Sequence, residues 1–221
     1  MKVLVISPHP DDEILGCGGT MHRLSSEGHE VNVAICTKGW PPLFEESQVR
    51  AVRDHARKAN KIIGTTGLSF MDLPVTKLSM IPRHELNGMF AGLLDQAKPD
   101  WLFLAHRGDR HEDHRQIFDA CMVAVRPAPE KHRISRILAY ETISETHWTV
   151  PGVEPAFTPT LYVDISDHLQ AKLEGFVQYE NQVRPFPHPR SGEALEALAR
   201  FRGSVVGMEA AEAYVVIRDL T

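Results

Sequence analysis

The chain has 221 residues, 24 Lys+Arg against 29 Asp+Glu, 43% hydrophobic and 24% charged residues, ordinary globular values that exclude intrinsic disorder. A chain of this length buries roughly 70% of its unfolded surface, so it needs neither metal nor disulfide to hold a core. A net charge of −5 with scattered Lys and Arg gives no basic footprint for nucleic acid, and three widely spaced cysteines (Cys17, Cys36, Cys121) build neither a disulfide framework nor a four-Cys zinc site.

The apolar run Val3–Ser7 predicts a first strand. It is far too short for a signal-peptide core, and no apolar stretch in the chain approaches the roughly 20 residues of a membrane span, so no membrane is expected and the cytoplasm is the expected home. Asp12–Gly28 carries Ile14, Leu15, Met21 and Leu24 at helical spacing, and Glu30–Thr37 alternates as a strand through Val31, Val33 and Ile35. The pattern continues with a helix over 45–64, a strand over 68–73, a helix from Pro82 to Lys98 and the strand Trp101–Ala105. Then come a helix over 113–125, a strand over 136–141, a Thr/Pro/Ser-rich segment over 142–159, a strand over 161–165 and a helix over 167–180. A Pro/His-rich loop (183–190), a helix over 191–202 and a strand over 214–218 finish the chain. Such alternation predicts an α/β, Rossmann-like, mostly parallel sheet with helices on both faces and ligands at the carboxyl ends of the strands. With no linker or repeat, residues 1–221 are read as a single domain.

Two constellations fall at those strand ends. Ser7-Pro8-His9-Pro10-Asp11-Asp12-Glu13 follows the first strand. His9 and Asp12, three apart across a turn, can aim an imidazole and a carboxylate at one ion and leave Asp11 free to take a proton from water. Helix capping by the two aspartates is the plainer alternative. The following Gly16, Gly18 and Gly19 lie inside the helix and form no G-x-G-x-x-G, so they point to close packing rather than to a dinucleotide. The second constellation, His106-Arg107-Gly108-Asp109-Arg110-His111-Glu112-Asp113-His114, follows the strand Trp101–Ala105. It can supply the third ligand of a His/Asp/His set suited to Zn2+ or Fe2+, and the residue pattern leaves His106, His111 and His114 all open for that place.

The paired motifs His9-Pro10-Asp11-Asp12-Glu13 and His111-Glu112-Asp113-His114 resemble the signatures of the PIG-L/LmbE-like family of metal-dependent N-acetylglucosaminyl deacetylases. The likeness extends through Leu15–Thr20, Pro187–Ser191, Arg202-Gly203 and Ala210–Ala213, essentially the whole chain. It implies His9, Asp12 and His114 as metal ligands, Asp11 as general base and His111 as a charged stabiliser of the oxyanion. The substrate would be a small N-acetylated sugar or conjugate, and the products acetate and a free amino sugar. Asp113 is read as support for an imidazole, or equally as a helix cap. Arg53, His188 and Arg190 are read as substrate contacts, although family members carry Arg-x-Glu-Glu where this chain has Val52-Arg53-Asp54-His55. Glu141, Thr142, Ser144, Thr146, His147, Trp148 and Trp40 are available near the same rim. The 183–191 loop is expected to line the entrance, either of its own site or of a neighbour's in a homo-oligomer. Two rival readings use the same residues: a non-haem iron enzyme and a non-catalytic sugar-binding module. A carboxylate beside the ligand set argues for hydrolysis.

Overall fold

The computed structural model describes residues 1–220. Seven strands form one sheet: β1 (Lys2–Ser7), β2 (Glu30–Lys38), β3 (Gly67–Pro74), β4 (Trp101–Ala105), β5 (Arg136–Tyr140), β6 (Leu161–Asp164) and β7 (Ala211–Asp219). Their order is β3-β2-β1-β4-β5-β7-β6. Neighbours from β3 to β5 pair in parallel, while β7 runs antiparallel to both β5 and β6. The expected α/β, Rossmann-like arrangement is therefore present. Six helices cover it: α1 (Asp12–Ser26), α2 (Glu46–Ile63), α3 (Arg83–Ala97), α4 (Glu112–Ala124), α5 (Leu169–Val177) and α6 (Gly192–Val206). α1, α2 and α5 pack together, as do α3 and α4, so each sheet face closes its own apolar cluster. One is built on Val5, Leu15, Phe103 and Tyr140, the other on Ile6, Phe90, Leu104 and Ile117.

Local chemistry explains where the elements begin and end. α2 opens with a reciprocal capping box between Glu45 and Gln48 and closes on Gly64 at φ 78°, a left-handed cap that glycine adopts without steric cost. α6 opens on Ser191, whose hydroxyl accepts the Ala194 N–H at 3.0 Å. Three elements end or begin three or more residues from the sequence expectation; the first is α6, which runs on to Val206 instead of stopping at 202. The helix expected over 167–180 is a 3-10 turn at Ser166–His168 followed by α5, which stops at Val177 in a tightened turn; beyond it Tyr179 is buried and turned toward Glu13. The last strand starts at Ala211 rather than Tyr214, because pairing with β6 overrides the weak strand preference of Ala and Glu.

The chain runs outward from β1 to β3 and then returns to place β4 against the other side of β1, with Val5 opposite Phe103. The carboxyl ends of β1 and β4 thus meet at a topological switch point, the crevice where open α/β sheets bind ligands. Both motif loops leave the sheet there. Among the described residues no helix is long and apolar enough to cross a membrane.

Candidate active site

At the switch point His9, Asp12 and His114 converge. His9 Nδ1 lies 3.2 Å from Asp12 Oδ2, His114 Nε2 lies 3.1 Å from the same oxygen, and the two ring nitrogens are 3.1 Å apart. These edges resemble the roughly 3.3 Å ligand spacing that tetrahedral coordination at about 2.0–2.1 Å produces. Two imidazoles and one carboxylate also make a donor set suited to Zn2+ or Fe2+. The carboxylates add an independent sign: Asp12 Oδ1 and both Asp11 oxygens are buried with no hydrogen-bond partner, an arrangement costly for a buried acid unless a cation or substrate meets it. The residues present therefore fit a divalent ion. A second group, His9, His111 and Asp113, shares His9, but Asp113 Oδ2 already accepts the Thr76 N–H at 2.9 Å and meets His9 Nε2 at 3.2 Å.

Both imidazoles are held from behind. Asp113 fixes the far nitrogen of His9, and Asp109 Oδ2 lies 2.8 Å from His114 Nδ1 while its Oδ1 accepts the Thr146 hydroxyl at 2.6 Å. Burial disfavours the His114 cation, but the Asp12 and Asp109 carboxylates outweigh it and raise the pKa well above the ordinary histidine value. Asp109 stands in the second constellation, but the residue pattern assigns it no role of its own although it lies five residues before His114. Asp113 is not the cap of α4; His111 is, its Nδ1 accepting the Asp113 N–H at 3.2 Å. That bond leaves Nε2 to carry the ring proton, and burial with the neighbouring His9 lowers the His111 pKa to about 4. The geometry thus favours a neutral donor where the family likeness implies a charged one. Asp109→Asn, which weakens the clamp on His114, is expected to lower metal affinity roughly 10–100-fold; a competition titration against a chromophoric chelator checks it.

Asp11 occupies the N-cap of α1 at φ 114° without capping through its side chain. A non-glycine residue in this region costs about 1–3 kcal/mol and persists only when its surroundings enforce it. Glu13 does so: its Oε2 accepts the Asp11 N–H and the Ser7 hydroxyl, and its Oε1 accepts from Asn60 and Tyr179. The Asp11 carboxyl is left facing the cavity, 3.4 Å from the Arg190 guanidinium. Burial pushes its pKa up to about 8, with Arg190 pulling the other way.

The cavity beside these groups measures about 470 Å³. Phe44, Val49, Val52 and Val75 form an apolar wall, and His111, Glu145, Asn181, Gln182, Arg184 and Arg190 a polar one. Of the expected substrate contacts only Arg190 reaches it, steadied by Ser144 Oγ at 3.0 Å and by Gln182, so the 183–191 loop contributes this residue to the cavity of its own chain. His188 stays behind, its Nδ1 accepting the Arg190 N–H at 3.0 Å. Arg53 is likewise not brought in: it pairs with Asp72 and lies over Phe70, 4.7 Å from the ring centroid. α2 presents Gln48, Val49 and Val52 to the cavity instead, and one residue further along a helix is a rotation of about 100°. Glu141 is held by Arg202 (2.8 and 2.6 Å) and lies 3.1 Å from His147, and Trp40 donates to Val75 O. Glu145 was missed, because nothing in the residue pattern of its segment sets it apart from its neighbours. A second cavity of about 530 Å³ lies near the amino end of β5. Its Arg126, Lys131 and Arg218 donate to the Val123, Ala124 and Val125 carbonyls at the end of α4, so they act as helix caps.

A family model described as PIG-L, GlcNAc-PI de-N-acetylase, matches residues 4–125, which hold every residue of the convergent cluster. The chain belongs to the PIG-L family. This PIG-L protein is 33% identical over 194 residues to the uncharacterized deacetylase YaiS of Escherichia coli (strain K12), covering 81% of this chain and 90% of that one. It is 26% identical to the diacetylchitobiose deacetylase of Thermococcus kodakarensis, over 96% of this chain and 81% of the other. The crystal structure of the conserved protein TT1542 from Thermus thermophilus matches with a TM-score of 0.81 at 27% identity, over 100% of this chain and 97% of that chain. The PIG-L match ends at Val125, so it includes Asp11 and His111 but not Glu145 or Arg190.

Proposed function

We propose that this protein is a metal-dependent hydrolase that removes the acetyl group from an N-acetylglucosamine-type sugar or glycoconjugate, releasing acetate and a free amine. One observation carries the reading: a convergent His9/Asp12/His114 set stands beside an Asp11 carboxylate that is buried without a hydrogen-bond partner, 3.4 Å from Arg190, at the wall of a sugar-sized cavity. Membership of a de-N-acetylase family and the likeness to a diacetylchitobiose deacetylase supply the substrate class. In this reading residues 1–221 act as one catalytic domain.

His9, Asp12 and His114 would hold the ion, Zn2+ or Fe2+. When bound, a divalent ion supplies Lewis acidity toward water and toward the acetyl carbonyl. Asp11 Oδ takes a proton from the attacking water as its oxygen bonds to the acetyl carbon, and later returns that proton to the departing nitrogen as the C–N bond breaks. His111 Nε2–H donates to the oxygen on which negative charge develops. Asp113 and Asp109 keep the His9 and His114 rings aimed, and Arg190 fixes the Asp11 carboxylate while facing the substrate. The apolar wall around Phe44 suits the less polar face of a pyranose, and Glu145, Asn181 and Gln182 suit its hydroxyls.

Removing metal with a chelator is expected to abolish acetate release from N-acetylglucosamine glycosides, and Zn2+ or Fe2+ to restore it; undiminished activity in metal-free protein would remove the ion from the mechanism. Arg190→Ala is expected to lower kcat as well as raise KM, because the guanidinium both faces the substrate and holds the Asp11 carboxylate, whereas Arg53→Ala leaves both near wild type. Steady-state kinetics on the two variants separates the residue at the cavity from the one held by Asp72.

A further inference from the structure

Lys172 and Glu212 form a buried ion pair that takes no part in the chemistry above. Lys172 Nζ, on α5, donates to Glu212 Oε1 on β7 and to the Leu15 carbonyl of α1 at 2.8 Å. Glu212 in turn accepts the Gly19 N–H at 3.0 Å through Oε1 and the Thr20 N–H at 2.7 Å through Oε2. The Tyr214 hydroxyl stands 3.0 Å from Oε2 and donates to Thr20 Oγ1 at 2.6 Å. Gly19 follows Leu15 by four residues, so its N–H is the regular helical donor to the carbonyl that Lys172 holds. The pair therefore grips the backbone of α1 at both partners of one helical step.

Desolvating two charges generally costs as much as their attraction returns, so such a pair is a poor device for stability alone; its best-attested use is to fix register. α1 needs that service. Its tightly packed positions are Gly16 against Tyr140 and Gly19 against Ile165, where a Cβ would collide with the neighbouring side chain. Glycine at these two positions lets Tyr140 and Ile165 come up against the helix backbone, so a small rotation or shift of α1 would carry the backbone itself into these side chains. The amino end of this same helix carries Asp11 as N-cap and Asp12 as first residue, and the Leu15 N–H donates to Asp11 O at 2.9 Å. Lys172 and Asp11 thus hold opposite sides of one residue.

We propose that Lys172 and Glu212 are positioning residues that set the rotation and register of α1 and thereby aim Asp11 and Asp12. The proposal rests on the metal-site reading of His9, Asp12 and His114. Co2+ titrated into metal-free protein, followed by its visible absorption bands, reports the ligand geometry without turnover, while circular dichroism and thermal melting report folding. Glu212→Gln and the double variant K172M/E212M are expected to fold but to bind Co2+ roughly 10-fold or more weakly, with shifted bands; Lys172→Arg, which keeps the charge, is expected to restore most of the affinity lost in Lys172→Met. Folded variants with wild-type Co2+ affinity and spectrum would overturn the proposal. Failure of every variant to fold would assign the pair to stability alone and overturn it too. A wild-type protein that takes up no Co2+ would instead overturn the site reading, and this proposal with it.

Discussion

Replacing Asp11 by Asn is expected to leave metal content unchanged and to lower turnover by about 10²–10⁴-fold, the usual contribution of a positioned acid–base group. The substitution is nearly isosteric, and Asp11 contributes none of the three converging atoms. Its backbone N–H still meets Glu13 Oε2 at 3.2 Å, so the unusual φ is retained. Because proton transfer belongs to the transition state, kcat and kcat/KM should fall together. Metal analysis and kinetics on one sample check this. Wild-type turnover in metal-replete Asp11→Asn would remove Asp11 from the chemistry.

His114→Ala and Asp12→Ala are expected to lose metal more completely than variants of the residues behind them, whose cost is roughly 10–100-fold. In the proposed site each removes one of the three converging donors, and each lies fully buried where solvent cannot easily substitute. His106→Ala is expected to keep stoichiometric metal. Its Nε2 lies 2.9 Å from Pro155 O and its ring packs on Phe157, so it braces the 151–159 loop rather than facing Asp12. Elemental analysis of the three proteins, with circular dichroism to confirm folding, distinguishes the roles. Full metal occupancy in His114→Ala would show that a different histidine completes the set.

The legible parts of this molecule are those that short-range pattern controls. Alternation through Val31, Val33 and Ile35 and the helical spacing of Leu15, Met21 and Leu24 reveal the β-α-β start, and a motif tied directly to a strand end inherits the strand's place. That is why His9, Asp12 and His114 can be located at one edge of the sheet from residue order alone. Side-chain direction is less local. Arg53 differs from the cavity-lining Val52 by one helical step, and His188 from Arg190 by two loop residues, yet each pair faces different surroundings. The choice of His111 rather than Asp113 as the cap of α4 depends on how the loop from β4 enters the helix. Glu212 and Lys172 are 40 residues apart, and no spacing rule joins a strand carboxylate to a helix ammonium across α1.

The most direct test of the function is to quantify acetate and free primary amine together in reactions of metal-replete protein with a panel of N-acetylglucosamine glycosides. Equal amounts of the two products from at least one member, absent in Asp11→Asn, are the expected result. No acetate from any member, in protein carrying stoichiometric metal, would contradict the assignment of this site to amide hydrolysis.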